Sequence, residues 1–190
     1  MLLQSEASGS DWSGAEVQRS QIVETPLKDA MFTKCRLFET AFLRIQGDGC
    51  QFAGATLQRV AFTGDIELRA ADFREVSADG LSFVKANLGG SDFSSGTFSG
   101  LCFVDTELER CRFRTSAMKR ALFSRNSLAH SDFFAADLLE AQFNRADLSG
   151  ASLRHANLFG ADLMDADLLG ADFSRANLAR TLFAVASDVD

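Results

Sequence analysis

The chain has 190 residues, 24% of them charged, and a formal net charge of −7, which predicts a single domain with one sizeable hydrophobic core. The excess of 26 acidic over 19 basic residues disfavours direct nucleic-acid binding through phosphate contacts and favours a basic protein surface as the partner. No apolar segment approaches the roughly 20 residues that span a bilayer, and the N-terminal residues carry no basic region or cleavage pattern, so we expect a cytoplasmic protein without membrane contact.

A large apolar residue recurs at every fifth position from Trp12 to Phe183, with one extra residue inserted between Thr63 and Glu67. Of these 35 positions, which we call core positions, only Gly47 and Ala78 lack a large apolar side chain. A second series of mostly small residues lies two positions before each core position. A period of five fits neither an α-helix nor an ordinary β-strand. The sequence therefore predicts a coil that turns a corner every five residues and points one large and one small side chain inward.

The segments ADLSG, ASLRH, ANLFG, ADLMD, ADLLG, ADFSR and ANLAR resemble the A(D/N)LXX consensus of the pentapeptide-repeat family. The resemblance implies a right-handed quadrilateral parallel β-helix of about nine coils, with repeats over residues 10–185 in a single domain, 1–190. Phe and Leu alternate from Phe32 to Leu148, which places Phe on two opposite faces and Leu on the other two. Seven glycines lie two residues after a core position, where a turn with positive φ favours Gly, namely Gly14, Gly54, Gly90, Gly100, Gly150, Gly160 and Gly170.

Two places depart from the pattern, near residues 46–50 and 63–67. With Gly47 in a core position and Gly49 nearby, we expect the coil to thin or loop out around Asp48, and we expect the inserted residue to form a bulge around Gly64 and Asp65. The segment QGDGC is also similar to the shorter loop of the quinolone-resistance members of the family. The candidate loop contact consists of Gly47, Asp48, Gly49, Gly64 and Asp65. Nothing in the chain matches the longer second loop of those members.

Charge is unevenly distributed along the chain. Six basic residues and no acid lie between Arg110 and Arg125, a segment that we call the basic belt: Arg110, Arg112, Arg114, Lys119, Arg120 and Arg125. From residue 131 to residue 190 there are ten acids and four arginines, a net charge of −6. The candidate acidic binding surface consists of six aspartates, each directly before a core position: Asp132, Asp137, Asp147, Asp162, Asp167 and Asp172. The alternative interpretation is that these aspartates have no binding function and that Asp at this position only follows the family consensus.

No catalytic, cofactor or metal motif is present in the sequence. Cys35, Cys50 and Cys111 fall in the small inward series and are predicted to be reduced core residues, while His130 and His155 fall on outward corners. We expect a protein that is not an enzyme and has no cofactor. After the last core position only AVASDVD remains, so Leu182, Phe183 and Val185 form a candidate end surface for a homodimer.

The resemblance implies three functional hypotheses. The first is a DNA mimic that binds DNA gyrase or topoisomerase IV and protects it from inhibitors, which is an antibiotic-resistance function. The second is a structural or regulatory interaction scaffold for an unrelated protein. The third is self-resistance against a gyrase-directed toxin, which shares the mechanism of the first.

Overall fold

The computed structural model describes residues 2–3 and 6–183, which form a parallel β-solenoid of about eight turns without any helix among them. The turn count is slightly below the predicted nine. The strands are short, since a corner follows every five residues. They are β1 (Leu2–Leu3), β2 (Glu16–Gln18), β3 (Gln21–Val23), β4 (Arg36–Phe38), β5 (Ala41–Leu43), β6 (Thr56–Gln58), β7 (Ala61–Glu67), β8 (Ser77–Asp79), β9 (Ser82–Asn87), β10 (Thr97–Ser99), β11 (Cys102–Val104), β12 (Asp162–Leu163) and β13 (Leu182–Phe183).

Each turn has four faces, which we number 1 to 4 in chain order from the core residues Ile22, Leu27, Phe32 and Leu37. Face 1 carries the six-stranded parallel sheet β1-β3-β5-β7-β9-β11 and, near the C-terminal end, the pair β12-β13. Face 4 carries the five-stranded parallel sheet β2-β4-β6-β8-β10. Faces 2 and 3 are joined mainly by single parallel bridges between residues about 20 apart. Every turn therefore pairs with the turns before and after it, as expected of a solenoid.

The core consists of stacked side-chain ladders, and the predicted separation of Phe and Leu is confirmed. Phe rings stack at centroid distances of 4.5–5.4 Å on face 1, from Phe42 to Phe143, and at 4.7–5.1 Å on face 3, from Phe32 to Phe133. Rings of the two ladders meet edge to face, a favourable geometry because it places a positive ring edge on a negative ring face. Leu fills most core positions of faces 2 and 4.

The corners use positive φ at the second residue after each core position, as predicted. The seven glycines named above have φ between 63° and 74°. Most corners, however, carry other residues in the same left-handed conformation, including Arg, Glu, Thr and Ala. At many corners the N–H of the third residue after the core position donates to the core residue's C=O, for example Ala15 to Trp12 at 3.0 Å. The backbone ladder thus imposes the turn, and Gly is favoured there but not required.

The expected loop at Gly47 is wrong, whereas the expected bulge at Gly64 and Asp65 is confirmed. The Gly47 N–H donates to Glu67 at 2.7 Å and the Gly49 N–H to Arg69 at 2.9 Å, so the turn continues without interruption. A Cβ at Gly47 would lie 3.0 Å from side-chain atoms of Ile45, Cys50 and Leu68, which shows that neighbours fill the missing side chain. In β7, by contrast, the register with β9 shifts between Thr63 and Ile66, and this shift accommodates the inserted residue.

Candidate functional site

The six predicted aspartates do not share one surface. Asp147 and Asp167 lie one turn apart on face 2 and form a bridge pair. The other four are divided among the remaining faces, with Asp162 on face 1, Asp132 and Asp172 two turns apart on face 3, and Asp137 on face 4. Residues that recur every five positions are carried round all four faces, and only those separated by 20 residues are stacked. The structure therefore brings together two of the six carboxylates.

Each of the six aspartates has a structural role at its own corner. The carboxylate accepts a hydrogen bond from the backbone N–H two residues later, at 2.9 Å for Asp147 to Ser149 and for Asp167 to Leu169. Asp132, Asp162 and Asp172 make the same contact at 2.9 Å, and Asp137 makes it at 3.4 Å. Asn87, Asn157 and Asn177 use their side-chain oxygen in the same way. This Asx turn explains the acidic composition of the repeats without any partner.

Ion pairs divide the six aspartates into two groups. Arg114 lies 2.6 Å from Asp132, Lys119 lies 3.4 Å from Asp137 and Arg154 lies 3.7 Å from Asp172. Hydrogen bonds from Ser174, together with Arg154, hold the pKa of the Asp172 carboxyl below its usual value. In the described part of the chain, Asp147, Asp162 and Asp167 have no ion pair within 4 Å. No cation of the described residues therefore neutralises these three carboxylates.

The basic belt is largely neutralised by acids on adjacent turns. Besides Arg114 and Lys119, Arg112 pairs with Asp92 at 3.0 Å and Arg120 with Glu140 at 2.6 Å. Burial opposes the ionisation of Asp92, but hydrogen bonds from Ser94 and Arg112 outweigh it and lower the pKa of this carboxyl. Exposed pairs of this kind contribute about 0–1 kcal/mol each to stability, so their main effect here is to cancel surface charge. The belt is therefore not a free cationic patch.

Face 2 carries an acidic column that the five-residue pattern does not reveal. The outward residue before each core position on this face forms one bridged series, Gln46, Glu67, Asn87, Glu107, Ser127, Asp147 and Asp167. We call its four acids the face 2 acidic column: Glu67, Glu107, Asp147 and Asp167. Glu107 and Asp167 are exposed and Asp147 is half-buried, while Glu67 lies 3.5 Å from Arg69. Aligning the sequence in segments of 20 residues, the length of one turn, would have found this column.

The candidate loop residues lie in the wall of the solenoid. Asp48 accepts hydrogen bonds from the Arg69 backbone N–H at 2.9 Å and from the Arg69 guanidinium at 2.6 and 3.1 Å. Gly49 has φ +73°, and a Cβ there would lie 2.4 Å from the Asp29 carboxylate. Of the five predicted residues, only Gly64 and Asp65 belong to a bulge, at the corner between faces 1 and 2.

At the C-terminal end, Leu182 and Phe183 are 55% and 40% exposed, so both are accessible in the last described turn. Val185 lies outside the described residues.

Residues 2–3 and 6–183 contain no cluster of metal ligands, and three of their four cysteines are buried. No group of three or more His, Cys, Asp or Glu side chains in this part of the chain could hold a metal ion. Burial raises the pKa of the Cys35, Cys50 and Cys111 thiols to about 12, so these cysteines are neutral at physiological pH. The same residues contain no helix that could cross a membrane.

Comparison with known proteins identifies the repeats. The family model for pentapeptide repeats matches eight copies, at residues 71–110 and 141–180. The chain therefore carries pentapeptide repeats and has the pentapeptide-repeat fold. Outside these repeats the five-residue pattern is less regular in its small residues, but the turns continue in the structure with the same geometry. No curated protein sequence matches the chain.

Several solved pentapeptide-repeat structures have a similar fold. A trypsin-treated form of QnrB1, a plasmid-mediated fluoroquinolone resistance protein, has a TM-score of 0.79 and 19% identity, covering 96% of this chain and 91% of that chain. Full-length QnrB1 has a TM-score of 0.69 and 21% identity, covering 96% and 92%. HetL from the cyanobacterium Nostoc, involved in the regulation of heterocyst differentiation, has a TM-score of 0.62 and 25% identity, covering 95% and 85%. At 19–21% identity, the likeness to QnrB1 shows the fold alone.

Proposed function

We propose that this pentapeptide-repeat protein acts by binding a protein rather than by catalysis, and that it presents the face 2 acidic column to the basic DNA-binding surface of a type II topoisomerase, DNA gyrase or topoisomerase IV. The observation that carries the proposal is the stacking of Glu107, Asp147 and Asp167 on one face without any ion pair in the described residues. On this mechanism the protein protects the enzyme from its inhibitors.

The charge density of the column supports a partial imitation of one DNA strand. At about 4.8 Å per turn, the five turns from Glu67 to Asp167 extend over roughly 24 Å. One strand of duplex DNA carries about seven phosphates over that length, because its charges are about 3.4 Å apart along the axis. The column carries four carboxylates, roughly half that density. We therefore expect a weak complex that forms through complementary charge and weakens as salt concentration rises.

The test is DNA supercoiling by gyrase with and without a quinolone, in the presence of purified protein. We expect the protein to alter supercoiling or to restore it in the presence of the drug. The triple variant Glu107→Gln, Asp147→Asn, Asp167→Asn should lose this effect. Asn preserves the corner hydrogen bond, since Asn87 and Asn157 already make it in this chain, so the variant should fold.

The matched control replaces two aspartates of face 3, Asp132→Asn and Asp172→Asn. Both are already paired, with Arg114 and Arg154, so their replacement should leave the effect unchanged. If the control loses the effect as completely as the face 2 variant, the assignment of face 2 is wrong. If the unmodified protein has no influence on gyrase or topoisomerase IV at large excess, the DNA-mimic proposal is wrong.

In that case a second function remains, an interaction scaffold for another protein. The observation that favours it is the pairing of four of the six cations of the basic belt with acids on adjacent turns, which removes a cationic patch that the DNA-mimic mechanism does not use.

A further inference from the structure

From β3 to β11, face 1 has no charged side chain directly before or after its core residue. The large residues at these outward positions include Leu43, Val84 and Val104, and small residues such as Ala41, Ala61 and Cys102 alternate with them across the sheet. The other three faces all carry charges at the equivalent positions of the same turns, for example Asp48 on face 2, Arg74 on face 3 and Arg36 on face 4. We call the side chains directly before and after the face 1 core residue in β3, β5, β7, β9 and β11 the face 1 stripe.

The corner that follows face 1 carries charges of alternating sign in six successive turns. In chain order these are Glu24, Arg44, Asp65, Lys85, Asp105 and Arg125. The next two turns carry Arg145 and Asp165 at this corner, and these two pair with each other at 3.5 Å. Glu24 and Arg44 pair with each other at 2.6 Å. Within the described residues, Asp65, Lys85, Asp105 and Arg125 form no ion pair within 4 Å, although opposite charges lie on adjacent turns. These four side chains are exposed.

When two copies of this row of six alternating charges face each other in reverse order, each charge lies opposite a charge of the other sign. A two-fold axis that runs parallel to the strands, in the plane of the contact and between β7 and β9, exchanges β7 with β9 and β5 with β11. It places Asp65 of one copy opposite Lys85 of the second copy, and Arg44 opposite Asp105. The remaining contact among these six residues, Glu24 opposite Arg125, also joins opposite charges. The geometry points to a homodimer in which two copies pack their face 1 stripes together, antiparallel.

The opposite corner of face 1 does not oppose this arrangement. Gly80 and Gly100 occupy it beside β9 and β11, so no like charges meet near the axis. At its far ends Arg19 would face Arg120, but each is already paired within its own chain, with Glu39 at 3.0 Å and with Glu140 at 2.6 Å. Two flat sheets can pack face to face at about 10 Å.

The size of the contact predicts a weak dimer. Five to seven strands at about 4.8 Å spacing, with a face and its corners roughly 15–20 Å wide, bury on the order of 350–700 Å² per copy. Stable interfaces bury about 800 Å² per partner. We therefore expect dissociation constants in the micromolar range or weaker. The exposure of the stripe agrees with a weak dimer. Most of its side chains are half-buried within one copy, and Val104, at 41%, is the most exposed of its large apolar residues.

The experiment is sedimentation equilibrium of the purified full chain from about 1 to several hundred micromolar. The mean mass should rise from 20.6 kDa towards twice that value. Val84→Glu, at the centre of the stripe, should keep the protein monomeric. The matched control is Leu139→Glu, which replaces a half-buried apolar residue at the equivalent position of face 4 and should leave dimerisation unchanged.

Charge exchange tests the antiparallel arrangement directly. Asp65→Lys and Lys85→Glu should each weaken the dimer at least about tenfold, because like charges then meet, and the double variant should restore it. Both changes suit the corner, since Lys34 and Glu75 already adopt positive φ at corners of this chain. A protein that stays monomeric at all concentrations overturns the proposal. A double variant that dimerises no better than the two single variants overturns it as well. A dimer that survives Val84→Glu but is lost in Leu182→Glu would be an end-to-end dimer and would also overturn it.

Discussion

The Phe ladders can be tested by removing one ring from the middle of the rod. Phe103 on face 1 stacks on Phe83 at 5.4 Å and on Phe123 at 5.2 Å, and it meets Phe93 and Phe113 edge to face at 6.0 and 6.5 Å. Its side chain is 2% exposed. Phe103→Ala removes four ring contacts and leaves a cavity that the rigid turns above and below cannot close. We expect a loss of about 3–5 kcal/mol in the free energy of unfolding.

Two further variants separate volume from ring geometry. Phe103→Leu keeps most of the volume and loses the ring contacts, so we expect a smaller loss of about 1–2 kcal/mol. Ser99→Ala, at an exposed position on the next face before it, should change stability by no more than about 0.5 kcal/mol. Ser124, an outward serine directly after the core residue Phe123, is less suitable as a control because its hydroxyl donates a hydrogen bond to the Asn144 side chain.

The assay is urea unfolding followed by far-ultraviolet circular dichroism and by the fluorescence of Trp12, the single tryptophan, which stacks on Phe32 at the N-terminal end. In a rod whose turns contact only their neighbours, Phe103→Ala should lower the midpoint of the circular-dichroism transition, while the fluorescence transition shifts less. Equal costs for Phe103→Ala and Ser99→Ala would refute the assignment of inward and outward positions. Equal costs for the Ala and Leu variants would show that ring stacking contributes little beyond volume.

Three other changes have expected outcomes. Ala70→Gly, at an exposed corner with φ +54°, should raise the free energy of unfolding by about 0.5–1 kcal/mol, whereas Ala129→Gly, without positive φ, should not; urea unfolding measures both. Gly96→Ala should destabilise by about 1–3 kcal/mol in the same assay, because the new Cβ would lie 2.4 Å from the Phe98 ring. In the folded protein at pH 8, a thiol reagent should titrate Cys102 alone, and four thiols should react after denaturation; burial raises the pKa of the other three thiols from 9.0 to about 12. Those three thiols stay protonated in the folded chain but ionise near pH 9 when the chain unfolds. Their contribution to the free energy of unfolding is therefore complete below pH 9. It falls by about 1.4 kcal/mol per thiol per pH unit as the pH rises towards 12.

The five-residue pattern was sufficient to predict the core because inward positions depend only on position within a repeat. Phe on two faces, Leu on the other two and positive φ at the corners are all local consequences of that pattern. The Gly47 loop was predicted wrongly for the same reason. Within one repeat a missing side chain leaves a hole, but Ile45, Cys50 and Leu68 fill it, and Leu68 belongs to the next turn. Compensation between turns cannot be read from a single repeat.

The charged surface can be predicted only from the 20-residue period of a complete turn. A carboxylate before a core position satisfies the backbone of its own corner, and this local role alone is enough to place Asp there on every face. Whether that carboxylate is available to a partner depends on residues about 20 positions away, which lie beside it on the adjacent turns. Asp132 and Asp147 occupy the same position of the repeat, yet Arg114 neutralises the first, whereas no cation in the described residues pairs with the second. The acids available to a partner are therefore those that the neighbouring turns leave unpaired, and among the six predicted aspartates of the described residues these are Asp147 and Asp167 on face 2 and Asp162 on face 1.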